Sequence, residues 1–268
     1  MMKYSKNELL IDVQGVSLTY DKQILRDINF KIHNIVRPDV NQGQVISLIG
    51  RSGIGKTQLF KILAGLIQPT TGIVNIGLDQ HPVVAGEVGI VAQNYILFNH
   101  RTVQENLRLA MKHSSNTQTS EEKDKLIQEY AEKFDLSEHL KKYPMQLSGG
   151  QRQRVSIIQQ VLTGNRFILL DEPFSGLDAL MIDRVMDLLL RVSTLHELNT
   201  LVIISHDVEN SLAISDTAFI LAREKGKEQE CATITETLDL IEMGFAWNPK
   251  IREDQAFQHL VSQIKHKI

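Results

Sequence analysis

The sequence predicts an α/β fold with a mainly parallel central sheet, preceded by an antiparallel β unit at the N-terminus and interrupted by an inserted helical segment. Three observations point there. Short apolar runs alternate with helical stretches, the rhythm of strands joined by crossover helices. The run "VISLIG", Val45 to Gly50, is apolar at all but one non-glycine position, as in a strand covered on both faces. "RFILLDEP" repeats that pattern and ends in two acids, Asp171 and Glu172.

The elements follow in order. "LLIDVQGVSLTYD" and "ILRDINFKI" read as strands about a turn at Asp21 and Lys22. "HNIVRPDVNQGQ", with Pro38 and Gly43, reads as a loop. "TQLFKILAGL" is helical and sets Leu59, Ile62, Leu63 and Leu66 on one face. "GIVNIG" and "VGIVAQ" are strands again. From Val103 to Tyr143 the chain is polar and helix-rich, with a flexible stretch expected at "HSSNTQTSEEKDK". Then come a helix opened by "LSGGQRQR", the strand ending at Asp171, a helix from about Ala179 to Thr194, the strand "TLVIISHD", the helix "ENSLAIS" and the strand "DTAFILA". The expected organisation is a core domain over 1–225, with a helical subdomain at about 94–160, and an extension over 226–268. In that extension "FQHLVSQIKHKI" places Phe257, Leu260, Val261, Ile264 and Ile268 on one helical face.

Composition narrows the function classes. The 268 residues are 42% hydrophobic and 23% charged, enough to bury a core and stay dissolved. A net charge of −3 argues against a dominant nucleic-acid footprint. A lone cysteine, Cys231, permits no internal disulfide and no cysteine metal cluster, and reads as a small hydrophobe. The start "MMKYSKNELLIDVQG" lacks the apolar core of a signal peptide, and no run reaches membrane-spanning length. A membrane role is therefore expected through attachment to another protein.

The chemistry concentrates in two stretches. "GRSGIGKT", Gly50 to Thr57, matches the G-x-x-x-x-G-K-[ST] phosphate loop between a strand and a helix. Its glycines let backbone N–H groups curl round phosphate oxygens, Lys56 reaches the terminal phosphates, and Thr57 offers a hydroxyl to Mg²⁺. Asp171, at the carboxyl end of its strand, is placed to face that cation, and Glu172 to act as general base on a water. In "LSGGQRQR" Ser148 reads as an N-cap and Gln151 completes a capping box. Gly149 and Gly150 weaken a first turn but bare its backbone donors to an anion. Arg152 and Arg154 read as a solvated face.

Phosphate loop, "LSGGQRQR" and "ILLDEP", in that order, resemble the nucleotide-binding subunit of an ABC transporter, over roughly Leu9 to Leu221. The resemblance implies a P-loop NTPase core that binds ATP and Mg²⁺ and hydrolyses ATP. It implies an ATP site made of Tyr20 stacked on adenine and Gly50, Arg51, Ser52, Gly53, Ile54, Gly55, Lys56, Thr57 and Gln58 round the phosphates. Gln93 would reach the cation and the water with Thr57 and Asp171, and His206 in "ISHD" would sense the terminal phosphate beside Glu172. Ser148, Gly149, Gly150 and Gln151 would contact the ATP of a second copy across a head-to-tail dimer, with Asp178 of "SGLD" in the loop that crosses the interface. Gln58 stands where the family usually has a small hydroxyl residue. The partners implied are a second ATP-binding subunit, an integral membrane transport subunit and a solute-binding protein, with no nucleic acid, at the cytoplasmic face of the inner (plasma) membrane. The absence of an exporter-type "TEVGE" loop leans toward import, and "LAREKGKEQECATITETLDL" looks like the long hairpin of the nitrate, sulfonate and taurine uptake group. A cassette for export or lipid extraction uses the same engine. A soluble cassette acting on ribosomes or DNA fits less well, since there is one cassette, no long heptad run and no basic surplus.

Overall fold

The computed structural model describes residues 4–38, 42–112, 119–223 and 231–268. An antiparallel sheet is built from β1 (Ser5–Thr19), β2 (Gln23–Val36), β4 (Thr71–Ile76) and β5 (His81–Pro82), in the order β2-β1-β4-β5. The central sheet takes β3 (Gln44–Ile49), β6 (Gly89–Val91), β7 (Phe167–Asp171), β8 (Thr200–Ser205), β9 (Thr217–Ala222) and β10 (Thr233–Asp239) in the order β10-β9-β3-β8-β7-β6. All its pairs are parallel except β9 with β10. The mainly parallel core and the antiparallel N-terminal unit are therefore as the sequence predicts.

Strand period sorts the core into layers. Ile46, Leu48, Val202 and Ile204 face the antiparallel sheet, where they meet Leu10, Val13, Ile28 and Phe30. Helix α1 (Lys56–Leu63) fills the same layer with Leu59 and Ile62. Val45, Leu201, Ile203, Ile168 and Leu170 face the other way. They are covered by α4 (Gly149–Leu162) through Val155 and Ile158, and by α5 (Ala179–Ser193) through Leu188 and Leu189. Helices α2 (Val103–Ala110) and α3 (Ser120–Lys133) continue this second layer with Leu107 and Ile127.

Several local expectations change. The stretch from His33 is not a loop: β2 runs on to Val36, paired with β1 as far as Ser5. Helix α1 stops at Leu63, because Gly65 takes a left-handed φ of 68° that ends the turn, and Leu66 is left exposed. The polar stretch after residue 118 is helical from Ser120, started by a Thr119–Glu122 capping box, while 113–118 lie outside the described residues. Arg152 and Arg154 are not a free solvated face. Arg152 donates to the Leu147 carbonyl at 3.1 Å and Arg154 to the Phe134 carbonyl at 2.9 Å, tying α4 to the segment before it.

The extension docks on the core. β10 pairs along β9 as one arm of the expected hairpin, with 224–230 outside the described residues. Helix α7 (Gln255–Lys267), capped by Asp254, buries Phe257, Leu260, Val261 and Ile264 against Val208 and Leu212 of α6 (Val208–Ile214). Phe257 meets Phe245 edge-on at 5.7 Å. Phe257→Ala should cost ~3–5 kcal/mol, the usual range for emptying a buried aromatic site, read from the urea midpoint.

Buried Asp216 joins the sheet to this extension. Its carboxylate accepts the Val45 N–H at 2.8 Å, and its own N–H donates back to the Val45 carbonyl at 2.8 Å. Burial pushes its pKa up to about 7, against the pull of that N–H, the Trp247 indole and Arg37. Between its ordinary 3.8 and about 7 the folded chain holds a proton that the unfolded chain has released. Stability from this group is therefore present at low pH and falls as pH rises through that window. Asp216→Asn should flatten the slope, and urea melts of both proteins at about pH 5 and about pH 8 check it.

Candidate nucleotide site

Parallel register delivers the site. Ile49 at the end of β3 stands beside Ser205 at the end of β8, and Asp171 at the end of β7 stands beside Ile204. The phosphate loop, the acid pair and the Ser205–His206 turn thus leave the sheet at one edge, where open α/β sheets place ligands.

Gly50 begins the loop against β9: a Cβ there would lie 2.5 Å from the Leu221 carbonyl oxygen. Gly53 and Gly55 take φ of 78° and 116°, turning the chain from β3 into α1. Lys56, 8% exposed, folds back to donate to the carbonyls of Gly50 at 2.7 Å and Arg51 at 3.2 Å. Its ammonium also lies 3.4 Å from Glu172 Oε1. These contacts fix the lysine inside the loop.

Glu172 is the most constrained residue of the site. It takes a left-handed φ of 49°, which for a residue with a side chain costs backbone strain. That bend swings its carboxylate inward. Oε2 accepts the Ser205 hydroxyl at 2.9 Å and the His206 N–H at 3.2 Å, and lies 2.8 Å from His206 Nδ1. Burial raises its pKa, but these bonds and the Lys56 charge outweigh it and hold the carboxyl below the ordinary range. Its neighbour Asp171 behaves oppositely. Burial and the Glu172 charge push Asp171 up, and Lys56 only partly offsets them. The two acids are held apart electrostatically, one kept ionised and one destabilised as an anion.

A cavity of about 500 Å³ opens over these groups, lined by Ser52, Gly53, Gly55, Lys56, Thr57, Gln58, Gln93, Asp171, Glu172 and His206 among others. Gln93 donates from Nε2 to Ser175 Oγ at 3.3 Å, and Ser175 N–H donates to the Glu172 carbonyl at 3.1 Å. Gly50 and Arg51 act here through their carbonyls on Lys56, whereas Ile54 turns into the core. Tyr20 stands at the β1–β2 turn, 57% exposed, and its hydroxyl donates to Gln58 Oε1 at 3.2 Å. Ser205 was not singled out from sequence, its only signal being adjacency to His206, and Ser175, read as the first residue of the "SGLD" interface loop, lines this cavity instead.

The other sequence-predicted residues lie elsewhere. Ser148, Gly149, Gly150, Gln151 and Asp178 line a separate cleft of about 690 Å³ that shares no residue with the first. The predicted capping box is present: Ser148 Oγ accepts the Gln151 N–H at 3.3 Å and Gln151 Oε1 accepts the Ser148 N–H at 2.8 Å. No acid stands in this first turn, and of the cleft's acids Asp178 is turned to cap its own helix. Asp178 caps α5, accepting the Met181 N–H at 2.9 Å.

Comparison with known proteins places the chain in a family. The model of the ABC transporter family matches residues 33–175. The nitrate transport protein NasD of Klebsiella oxytoca is 32% identical over 96% of this chain and 95% of its own. The bicarbonate transport ATP-binding protein CmpC of Synechococcus elongatus is 36% identical over 71% of this chain, which spans only 28% of that longer relative. Among solved structures, cbiO1 from Clostridium perfringens, part of the ABC transporter complex cbiONQ, superposes with a TM-score of 0.72 at 22% identity, covering 89% of this chain and 91% of that one. The chain belongs to the ABC transporter family, as one of its ATP-binding cassettes.

Proposed function

We propose that the chain hydrolyses ATP as one half of a head-to-tail pair and so energises solute import through a separate membrane subunit. One observation carries the reading. The phosphate loop, acid pair and His206 surround one cavity, while the bare helix start at Ser148 to Gly150 opens on another. A helix N-terminus with free donors stabilises negative charge. Within one chain that charge is not the phosphate at Lys56, and a second copy, turned end for end, supplies it in both directions. The match to a sulfate/thiosulfate import ATP-binding protein of Agrobacterium fabrum, 33% identical over 85% of this chain and 65% of its own, supports import over export.

The residues divide the work. Lys56 exchanges its contact with Glu172 for the terminal phosphates. Glu172, ionised and anchored by Ser205 and His206, orients a water and takes its proton as the bond to phosphorus forms. Thr57, Asp171 and Gln93 offer a hydroxyl, a carboxylate and an amide oxygen, the hard donors that Mg²⁺ prefers. The raised pKa of Asp171 marks a carboxylate that a cation would relieve. Mg²⁺ bound there would neutralise charge on the phosphates. Lys56→Ala should lose ATP binding. Glu172→Gln should bind ATP and lose turnover by about 10²–10⁴-fold, because an amide accepts no proton. Wild-type turnover by Glu172→Gln would remove Glu172 from the role of base.

The split site has its own test. Ser148→Arg places a cation and bulk at the helix start, away from the chain's own phosphate loop. In a Glu172→Gln background it should bind ATP normally yet stay monomeric on size exclusion. An ATP-stabilised dimer surviving Ser148→Arg would sink the head-to-tail reading.

The segment after Gln93 supplies the membrane contact. Tyr95 and Leu97 pack inward, whereas Ile96 is 77% and Phe98 48% exposed. Buried Asn106 fixes this loop by accepting the Phe98 N–H at 2.9 Å and donating to the carbonyls of Phe98, Arg101 and Thr102. Two apolar side chains are thus presented on a rigid loop close in sequence to a residue of the site. Ile96→Asp with Phe98→Asp should leave ATP binding intact and abolish co-purification with the membrane subunit. Unchanged assembly would move the docking face elsewhere.

A further inference from the structure

Gln58 stands where the resemblance implies a small hydroxyl residue, and its side chain makes a contact that such a residue is too short to make. It occupies the first turn of α1, directly after Thr57, and lines the phosphate cavity. Its Oε1 accepts the Tyr20 hydroxyl from the β1–β2 turn. Among the described residues its Nε2 has no protein acceptor. The backbone around it is already fixed, since the Gln58 N–H donates to the Gly55 carbonyl at 3.0 Å. Gly55 in turn packs on β2: a Cβ there would lie 3.0 Å from Leu25 Cδ2 and 3.1 Å from Ile24 Cγ2. The antiparallel sheet therefore sits directly on the phosphate loop, and the Tyr20–Gln58 bond crosses that seam at its solvent edge.

We propose that Gln58 is a nucleotide-positioning residue that couples an aromatic base platform to the phosphate site, its Oε1 holding Tyr20 and its Nε2 left to donate to the bound nucleotide. The proposal rests on the nucleotide-binding reading above. Tyr20 is a large, exposed ring on a short turn, and without a tether it would lose rotamer freedom when a base stacks on it. The hydrogen bond removes part of that cost in advance, which is how preorganisation raises affinity. Because the tether starts from the residue after Thr57, correct seating of the phosphate loop and correct placement of the ring become one event. Lys56 and Thr57 also hold the phosphates, so loss of Gln58 weakens binding of the polyphosphate chain without abolishing it.

The test is a double-mutant cycle on the full chain with Tyr20→Phe and Gln58→Ala, measuring equilibrium binding of ATP and of inorganic tripolyphosphate. Tyr20→Phe keeps the ring and removes only the hydroxyl. It should weaken ATP binding about three- to tenfold, the worth of one modest hydrogen bond, and leave tripolyphosphate unchanged. Gln58→Ala should weaken both ligands. For ATP the double variant should be no weaker than Gln58→Ala alone, because the hydroxyl then has nothing left to hold. Both side chains lie at the surface, and thermal melts should show unchanged folding. Additive losses for ATP, or a Tyr20→Phe protein that binds ATP like the parent, would overturn the coupling. If the parent chain bound neither ligand, the nucleotide-binding reading itself would fall, an outcome distinct from either.

Discussion

The Glu172 carboxylate is the point on which the site is assembled. It receives Lys56 from the phosphate loop, the Ser205 hydroxyl from the end of β8 and His206 from the turn beyond it. Those three come from segments about 120 and 35 residues away in the chain, and only the parallel register of β3, β8 and β7 brings them together. A register slip of one residue in any of these pairs would turn a site residue to the wrong face. The strand cores prevent that slip. Alternate side chains of β3 and β8 feed two different apolar layers, so a shift would cost both. The strained backbone at Glu172 is sustained by the same packing, its N–H held by the Ile204 carbonyl at 2.8 Å.

The two sheets are joined by close backbone approaches. The bridge of Leu25 to Ala232, with Arg26 N–H donating to Ala232 at 2.9 Å and Ala232 N–H to Ile24 at 3.0 Å, binds β2 to the start of the C-terminal extension. The extension is thus knitted to the antiparallel sheet at one end and to α6 at the other. α6 follows His206 and its cap Asp207 directly, and α7 is linked to it by Gln258 donating to Glu209 at 3.1 Å. The element farthest along the chain therefore buttresses a helix that begins at the edge of the site.

Much of this was legible in the sequence because its signals are local. A G-x-x-x-x-G-K-T loop needs one turn, a capping box needs four residues, and an apolar run such as "FILLD" announces its own burial. The cap at Ser148 was read correctly for that reason. The errors share a cause as well. β2 was cut short because His33, Asn34 and Arg37 look like loop residues, yet the buried Asn34 side chain donates to Glu8 across the sheet at 3.0 Å and stays in the strand. Arg152 and Arg154 looked solvated because their acceptors are backbone carbonyls, which no side-chain pattern displays. Ser205 was passed over because its use depends on Glu172, far away in sequence.

The same distinction between local and distant partners bears on the second cleft, which shares no lining residue with the phosphate cavity. Ser148 to Gly150 form an anion-ready helix start whose donors face a cleft that the chain's own Lys56 does not line. Gln151 is occupied in holding the cap and contacts His139 Nε2 at 2.8 Å, so it serves by keeping the turn rigid. Gly150 is tied to the opposite wall: a Cβ there would press to 2.6 Å on the Met181 side-chain tip, on the helix capped by Asp178. Helix start and interface loop are therefore packed against each other as one surface. A surface built so closely, with backbone donors open to the cleft, suits the complement proposed above, a second copy. In the head-to-tail pairing proposed above, the nucleotide phosphates held by a second copy's loop would supply the negative charge.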